Sequence, residues 1–176
     1  LLKETIARAE SHSRKQYHLT SQNRDIYIIF KESLLLGRGD EGIAPDILFE
    51  DRRVSRKHAT LTYEKGKWMI NDLESTGGTY VNGSAVHSSP LNDGDTLTLA
   101  KVHEFLIHAV IPDKGSPGLV LEGRHSTYLI FPTEGSFAKA SFMKTDKEHT
   151  LFLSKEKTRL LLSWEEGFHF IIPGDS

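Results

Sequence analysis

Cysteine is missing from all 176 residues. Its absence removes disulfides, thiol nucleophiles and cysteine-built zinc sites. Long apolar runs are missing too. Nothing approaches the roughly 20 residues that a membrane-spanning helix requires, and residues 1–16 are too polar for a signal peptide. The expected setting is cytoplasmic, with no membrane partner. An excess of one charge is also lacking: 22 Lys and Arg against 24 Asp and Glu leave a formal net charge of -2. That balance gives no footprint for a nucleic-acid backbone. The 9 histidines are scattered without zinc-site spacing. No Gly-x-Ser-x-Gly elbow surrounds Ser55, so its closeness to His58 does not mark a nucleophile and base. The expectation is a non-enzymatic protein without metal or cofactor.

What is present is ordinary soluble composition, 38% hydrophobic and 26% charged, in a length that holds one medium domain or two small ones. Residues 1–16 have few β-branched side chains, and Leu1, Leu2, Ile6 and Ala9 recur at near-helical spacing, so this lead-in is expected to be helical. Short strand-like runs follow at 17–20, 26–30 and 34–36, then 60–63 and 67–70 around a Glu64-Lys65-Gly66 turn, and later 96–99 and 104–110. Polar turn clusters separate them, which is the pattern of an all-β sandwich. The run Pro-Asp-Lys-Gly-Ser-Pro at 112–117 resists regular structure. The expected organisation is therefore a first β domain at 17–112, a linker at 113–117, and a second small β-rich unit at 118–176. That unit is near the lower size limit for independent stability.

The chain is organised around the 30 residues from Val54 to Gly83. A Ser-Arg-Lys-His cluster opens the stretch, two alternating runs follow, and Asn82-Gly83 closes it with the strongest short hairpin signal. Upstream, Gly37-Arg38-Gly39 aims one arginine from a glycine-spaced loop. Loops rich in hydroxyls, arginine and glycine on a rigid sheet suit capture of a small anion.

Gly-Arg at 37–38, Ser-Arg-Lys-His after 16 residues and Ser-Thr-Gly-Gly-Thr-Tyr-Val-Asn-Gly after 16 more resemble the forkhead-associated (FHA) domain, a phosphothreonine-peptide binding module. The resemblance covers about half the chain. It implies an FHA-type β-sandwich whose apical loops hold a phosphothreonine-containing protein or peptide made by an upstream Ser/Thr kinase. Matched position by position, it implies phosphate contacts from Arg38, Ser55, Arg56 and Thr76. Arg53 and Gly77 would govern peptide specificity and backbone contact, and Gly37, His58, Gly78, Asn82 and Gly83 would be structural. Gly77 departs from the family, which usually carries Asn there to hold the peptide main chain. Two alternatives are an FHA-like scaffold that binds partners without phosphate, and a ligand-sensing role in residues 118–176.

Overall fold

A computed structural model describes residues 16–21, 24–133, 139–144, 147–156, 159–164 and 168–173, with side chains described over 25–133. In chain order the strands are β1 (Gln16–Ser21), β2 (Arg24–Phe30), β3 (Ser33–Gly37), β4 (Ile47–Leu48), β5 (Ala59–Glu64), β6 (Lys67–Asp72), β7 (Thr79–Val81), β8 (Ser84–Ala85) and β9 (Ser88–Pro90). They continue as β10 (Thr96–Leu99), β11 (His103–Pro112), β12 (Gly118–Glu122), β13 (Ser126–Phe131), β14 (Lys139–Lys144), β15 (Lys147–Glu156), β16 (Arg159–Trp164) and β17 (Phe168–Pro173). The described residues contain no helix. The helix expected in the lead-in falls at 1–15, outside the described residues, and Gln16 already opens β1.

Two compact units divide the chain. The first comprises residues 31–108 and 121–124 and contains the β-sandwich. One layer is a five-stranded sheet in the order β4-β3-β5-β6-β9, in which only the β3–β4 pair is parallel. The other layer is built on β10, which pairs with β7 on one side and β11 on the other. Alternation makes the layers: Leu34 and Leu36, Ala59 and Leu61, Trp68 and Ile70, Leu97 and Leu99, Phe105 and Ile107 are buried, and their neighbours on each strand, the buried Gly37 and His108 excepted, are more accessible. Side chains of a strand alternate between its faces, so this period of two places one apolar row inward. Phe49, just past β4, meets Phe105 of β11 edge-on at 6.1 Å between ring centroids. The expected turn at 64–66 is present, with Glu64 paired to Lys67 and both Lys65 (φ 50°) and Gly66 (φ 80°) left-handed. Asn82 (φ 50°) and Gly83 (φ 80°) form the second such turn, between β7 and β8. Positive φ at both central residues is what a two-residue hairpin turn requires.

The second unit takes the described residues up to 30, then 109–120 and the described residues from 125 onward. Here β2 pairs antiparallel with β1 and parallel with β13, residues 25–30 lying opposite 126–131. Ile28, Ile29 and Phe30, like Leu129, Ile130 and Phe131, are buried without alternation, the pattern of strands covered on both faces. Phe30 stacks on Phe131 at 5.8 Å and Tyr27 on Tyr128 at 4.9 Å. Strands β14 to β17 are an antiparallel meander.

Residues 118–176 cut out alone would lack β2, and with it a full strand of hydrogen bonds to β13 and the apolar faces of Ile28 and Phe30. Such a fragment is expected to melt without cooperativity and to show poor amide dispersion. A cooperative melt of the isolated fragment would show that β2 is dispensable.

Candidate functional site

Three loops converge at one end of the sandwich because glycine lets two of them touch. The Arg38 amide donates to the Ser55 carbonyl at 3.0 Å and the Gly39 amide to the Arg56 carbonyl at 3.1 Å. A Cβ on Gly37 would overlap the Arg56 carbonyl oxygen, so any larger residue would push the first loop off the second. The third loop is tied in through Ser55, whose hydroxyl oxygen accepts the Thr76 amide at 3.1 Å.

His58 holds this arrangement from beneath. It is fully buried. Its Nδ1 accepts the Ser55 amide at 3.2 Å, which places the ring proton on Nε2, where it is donated to the Gly78 carbonyl at 3.0 Å. The His58 backbone bridges β3 and the third loop, its amide donating to Leu36 and its carbonyl accepting from Leu73. Burial pushes the imidazole below its ordinary pKa, so the ring is a neutral strut.

Asp72 performs the corresponding task for the third loop. One carboxylate oxygen accepts the Ser75 hydroxyl at 2.5 Å and the Thr79 hydroxyl at 2.7 Å, and the other accepts the Ser75 amide at 3.1 Å. Burial alone would raise its pKa, but these hydrogen bonds outweigh it and hold the carboxyl below its usual value.

The loops enclose an open cleft of about 870 Å³ that brings together Arg38, Arg53, Ser55, Arg56, Thr76 and Gly77. Arg52, Lys57 and Lys101 line it as well, and no carboxylate does. The cations are not equivalent. Arg38 donates its Nε to the Val54 carbonyl at 3.1 Å, which orients the guanidinium without neutralising it. Arg56 pairs with Asp40 at 3.0 Å, both side chains being exposed. Arg53 forms a two-pronged pair with Asp51, at 3.0 and 2.8 Å. Asp51 also accepts the Arg53 amide at 2.9 Å and meets His103 Nε2 at 2.9 Å. The Arg53 side-chain hydrogen bond, foremost among these, holds the Asp51 carboxyl far below the usual carboxylate range. Among the described residues no group of three or more His, Cys, Asp or Glu side chains could hold a metal ion.

Gly77 and Gly78 are fixed by what packs on them. A Cβ at 77 would lie 2.7 Å from Ala100 Cβ and 2.8 Å from Ala100 Cα, and one at 78 would meet the Tyr80 hydroxyl at 2.9 Å. The family's usual Asn therefore has no room at position 77. Ala100 and Lys101, both left-handed at φ 52° and 59°, belong to the turn between the strands expected at 96–99 and 104–110, and its left-handed backbone carries no sequence mark, since it has neither glycine nor asparagine. Asp40 and Asp51 were equally silent, because their significance lies in partners that only folding reveals.

The geometry is that of an open cleft lined by basic side chains at the loop end of a β-sandwich. The FHA domain family model matches residues 34–100, and this segment of the chain is an FHA domain. Among relatives, the chain is 39% identical over 72 residues to the glycogen accumulation regulator GarA of Mycolicibacterium smegmatis, covering 40% of this chain and 46% of that protein. It is 32% identical over 75 residues to the oxoglutarate dehydrogenase inhibitor of Corynebacterium jeikeium, covering 43% and 50%. It is 35% identical over 71 residues to an FHA domain-containing protein of Arabidopsis thaliana, covering 39% and 18%. The chain thus spans half or less of the length of these relatives. A solved structure of Mycobacterium tuberculosis EmbR with a low affinity phosphopeptide superposes with a TM-score of 0.39 at 32% identity, over 43% of this chain and 19% of that one.

Two outcomes are expected of these contacts. Because the folded-state pKa of His58 lies below its ordinary 6.5, the unfolded chain takes up its proton first. The His58 contribution is therefore whole above pH 6.5 and is lost as pH falls below it. Titration of the ring by NMR should find a His58 pKa below the ordinary 6.5, and a normal or raised pKa would contradict the strut. Gly77→Asn should lower the melting temperature and weaken binding, with partial recovery when combined with Ala100→Gly. A tighter-binding Gly77→Asn single variant would mean that Ala100 moves freely.

Proposed function

We propose that the FHA domain of this chain is a non-enzymatic reader of phosphothreonine-containing protein segments, acting downstream of a Ser/Thr kinase in a cytoplasmic signalling or assembly system. The observation that carries this reading is the convergence of Arg38, Ser55, Arg56 and Thr76 from three loops on one cleft that no carboxylate lines. A phosphothreonine brings a charge of about -1.5 to -2 and three acceptor oxygens, and needs donors from several directions. Arg38 is the anchor, being oriented by a carbonyl and carrying no carboxylate partner among the described residues. Ser55 keeps its hydroxyl proton for a ligand, because its oxygen already accepts Thr76. Charge-assisted hydrogen bonds of about 1.5–3 kcal/mol each make three or four sufficient for most of a micromolar affinity. The names of two relatives, a regulator and an inhibitor, suit a protein that works by binding another.

Calorimetry with a phosphothreonine peptide and its unphosphorylated twin tests the reading, and equal affinities would refute it. Arg38→Ala should weaken the phosphopeptide by at least about 1.5 kcal/mol. Asp40→Asn should tighten it by about 0.2–1 kcal/mol, the worth of the exposed pair with Arg56 that phosphate must replace.

A further inference from the structure

The turn between β10 and β11 does more than close the sandwich. Ala100 packs on Gly77 closely enough to exclude any side chain there, and its amide donates to the Gly78 carbonyl at 2.9 Å. The turn is thereby locked to the loop that carries Thr76. Two successive non-glycine residues in the left-handed region, Ala100 and Lys101, are a conformation that persists only where the surroundings impose it, and such sites gather at ligand-binding places. The product of this strain is the position of Lys101: an exposed ammonium 5.7 Å from the centroid of the Tyr80 ring, on the same cleft as the three loops. Tyr80 is itself seated on Gly78.

Arg56 and Arg53 are matched by Asp40 and Asp51. Among the described residues no carboxylate is paired with Arg38, Arg52, Lys57 or Lys101. One phosphate of about -1.5 to -2 satisfies Arg38 and its hydroxyl neighbours and leaves positive charge over. We propose, on the basis of the phosphothreonine reading, that the Ala100–Lys101 turn is a fourth recognition loop, with Lys101 the specificity-determining residue for a second acidic group on the same peptide. A glutamate or aspartate carboxylate and a second phosphate share the required chemistry. The platform of Tyr80 restricts where the ammonium sits, so the preference belongs to particular flanking positions and is not a general taste for acidic peptides.

The test uses the whole chain and three peptide sets around one phosphothreonine: neutral flanks, glutamate placed at each flanking position in turn, and phosphoserine placed likewise. Wild type should bind the best glutamate peptide about two- to fivefold more tightly than the neutral one, the range of an exposed charge pair. The gain should shrink with added salt. If phosphate is the natural group, the phosphoserine gain will exceed the glutamate gain at the same position, and if carboxylate is, the two will match. In Lys101→Gln the ratio of doubly to singly acidic peptide should fall to about one, and Lys101→Arg should retain it; thermal melts verify that both variants are folded. An undiminished ratio in Lys101→Gln, or no gain at any position in wild type, overturns the assignment. Phosphate dependence would survive in either of those cases, whereas failure of the phosphothreonine reading would appear separately, as equal binding of the unphosphorylated twin.

Discussion

The site depends on one neutral imidazole. His58 is buried where an unsatisfied polar atom is costly, and both of its nitrogens are committed, one to the Ser55 amide and one to the Gly78 carbonyl. Those two contacts set the distance between the second and third loops. Once that distance is fixed, the Thr76 amide reaches the Ser55 oxygen. The first loop follows because Gly37 allows the backbones of 38–39 and 55–56 to bond directly. Replacement of the imidazole by a group with only one hydrogen-bonding end would leave one of the two loops unanchored. The polar side chains that face the cleft are thus positioned by residues that do not face it.

Charge in this chain is arranged, not accumulated. A formal net charge of -2 coexists with a cleft lined by six basic side chains, because no acidic residue lines it, although Asp40 and Asp51 pair with Arg56 and Arg53. Asp40 and Asp51 each hold an arginine of the cleft, Arg56 and Arg53, in an ion pair. Such pairing restricts the conformational freedom of both side chains. Local potential, not net charge, determines what such a cleft attracts.

Much of this was legible in the sequence where the cause is local. Alternation at 59–64 and 67–72 with Lys65-Gly66 between them specifies a hairpin by itself, as does Asn82-Gly83 between Val81 and Ser84. The Ser-Arg-Lys-His and Thr-Gly-Gly-Thr fragments marked the loops through their order and spacing. What stayed hidden depends on residues far apart in sequence. The closeness of Ala100 to Gly77, which leaves no room for the family's Asn, follows from how β10 lies beside β7 and not from any turn signal. Likewise nothing in Asp40, Asp51 or Lys101 distinguishes them from solvated loop residues until their partners are in place. The parallel pairing of β2 with β13 is of the same kind, since neither strand carries a mark of the other.

That parallel pairing has a bearing on how the chain reaches its fold. The sandwich residues 31–108 lie, along the chain, between two strands that must find each other, β2 and β13. A contact of such long sequence separation forms slowly, because the intervening chain must be closed before any bond rewards it. An inserted domain that folds first shortens the effective loop, since a compact body replaces a long flexible segment. On a ribosome, residues 31–108 emerge before Ser126 does, so the cleft with its loops can be complete while β2 has only β1 for company. The apolar edge of Ile28 and Phe30 is then bare for as long as synthesis takes to reach Phe131, and that interval, more than the final stability of either unit, is when this chain is most exposed to pairing with another copy of itself.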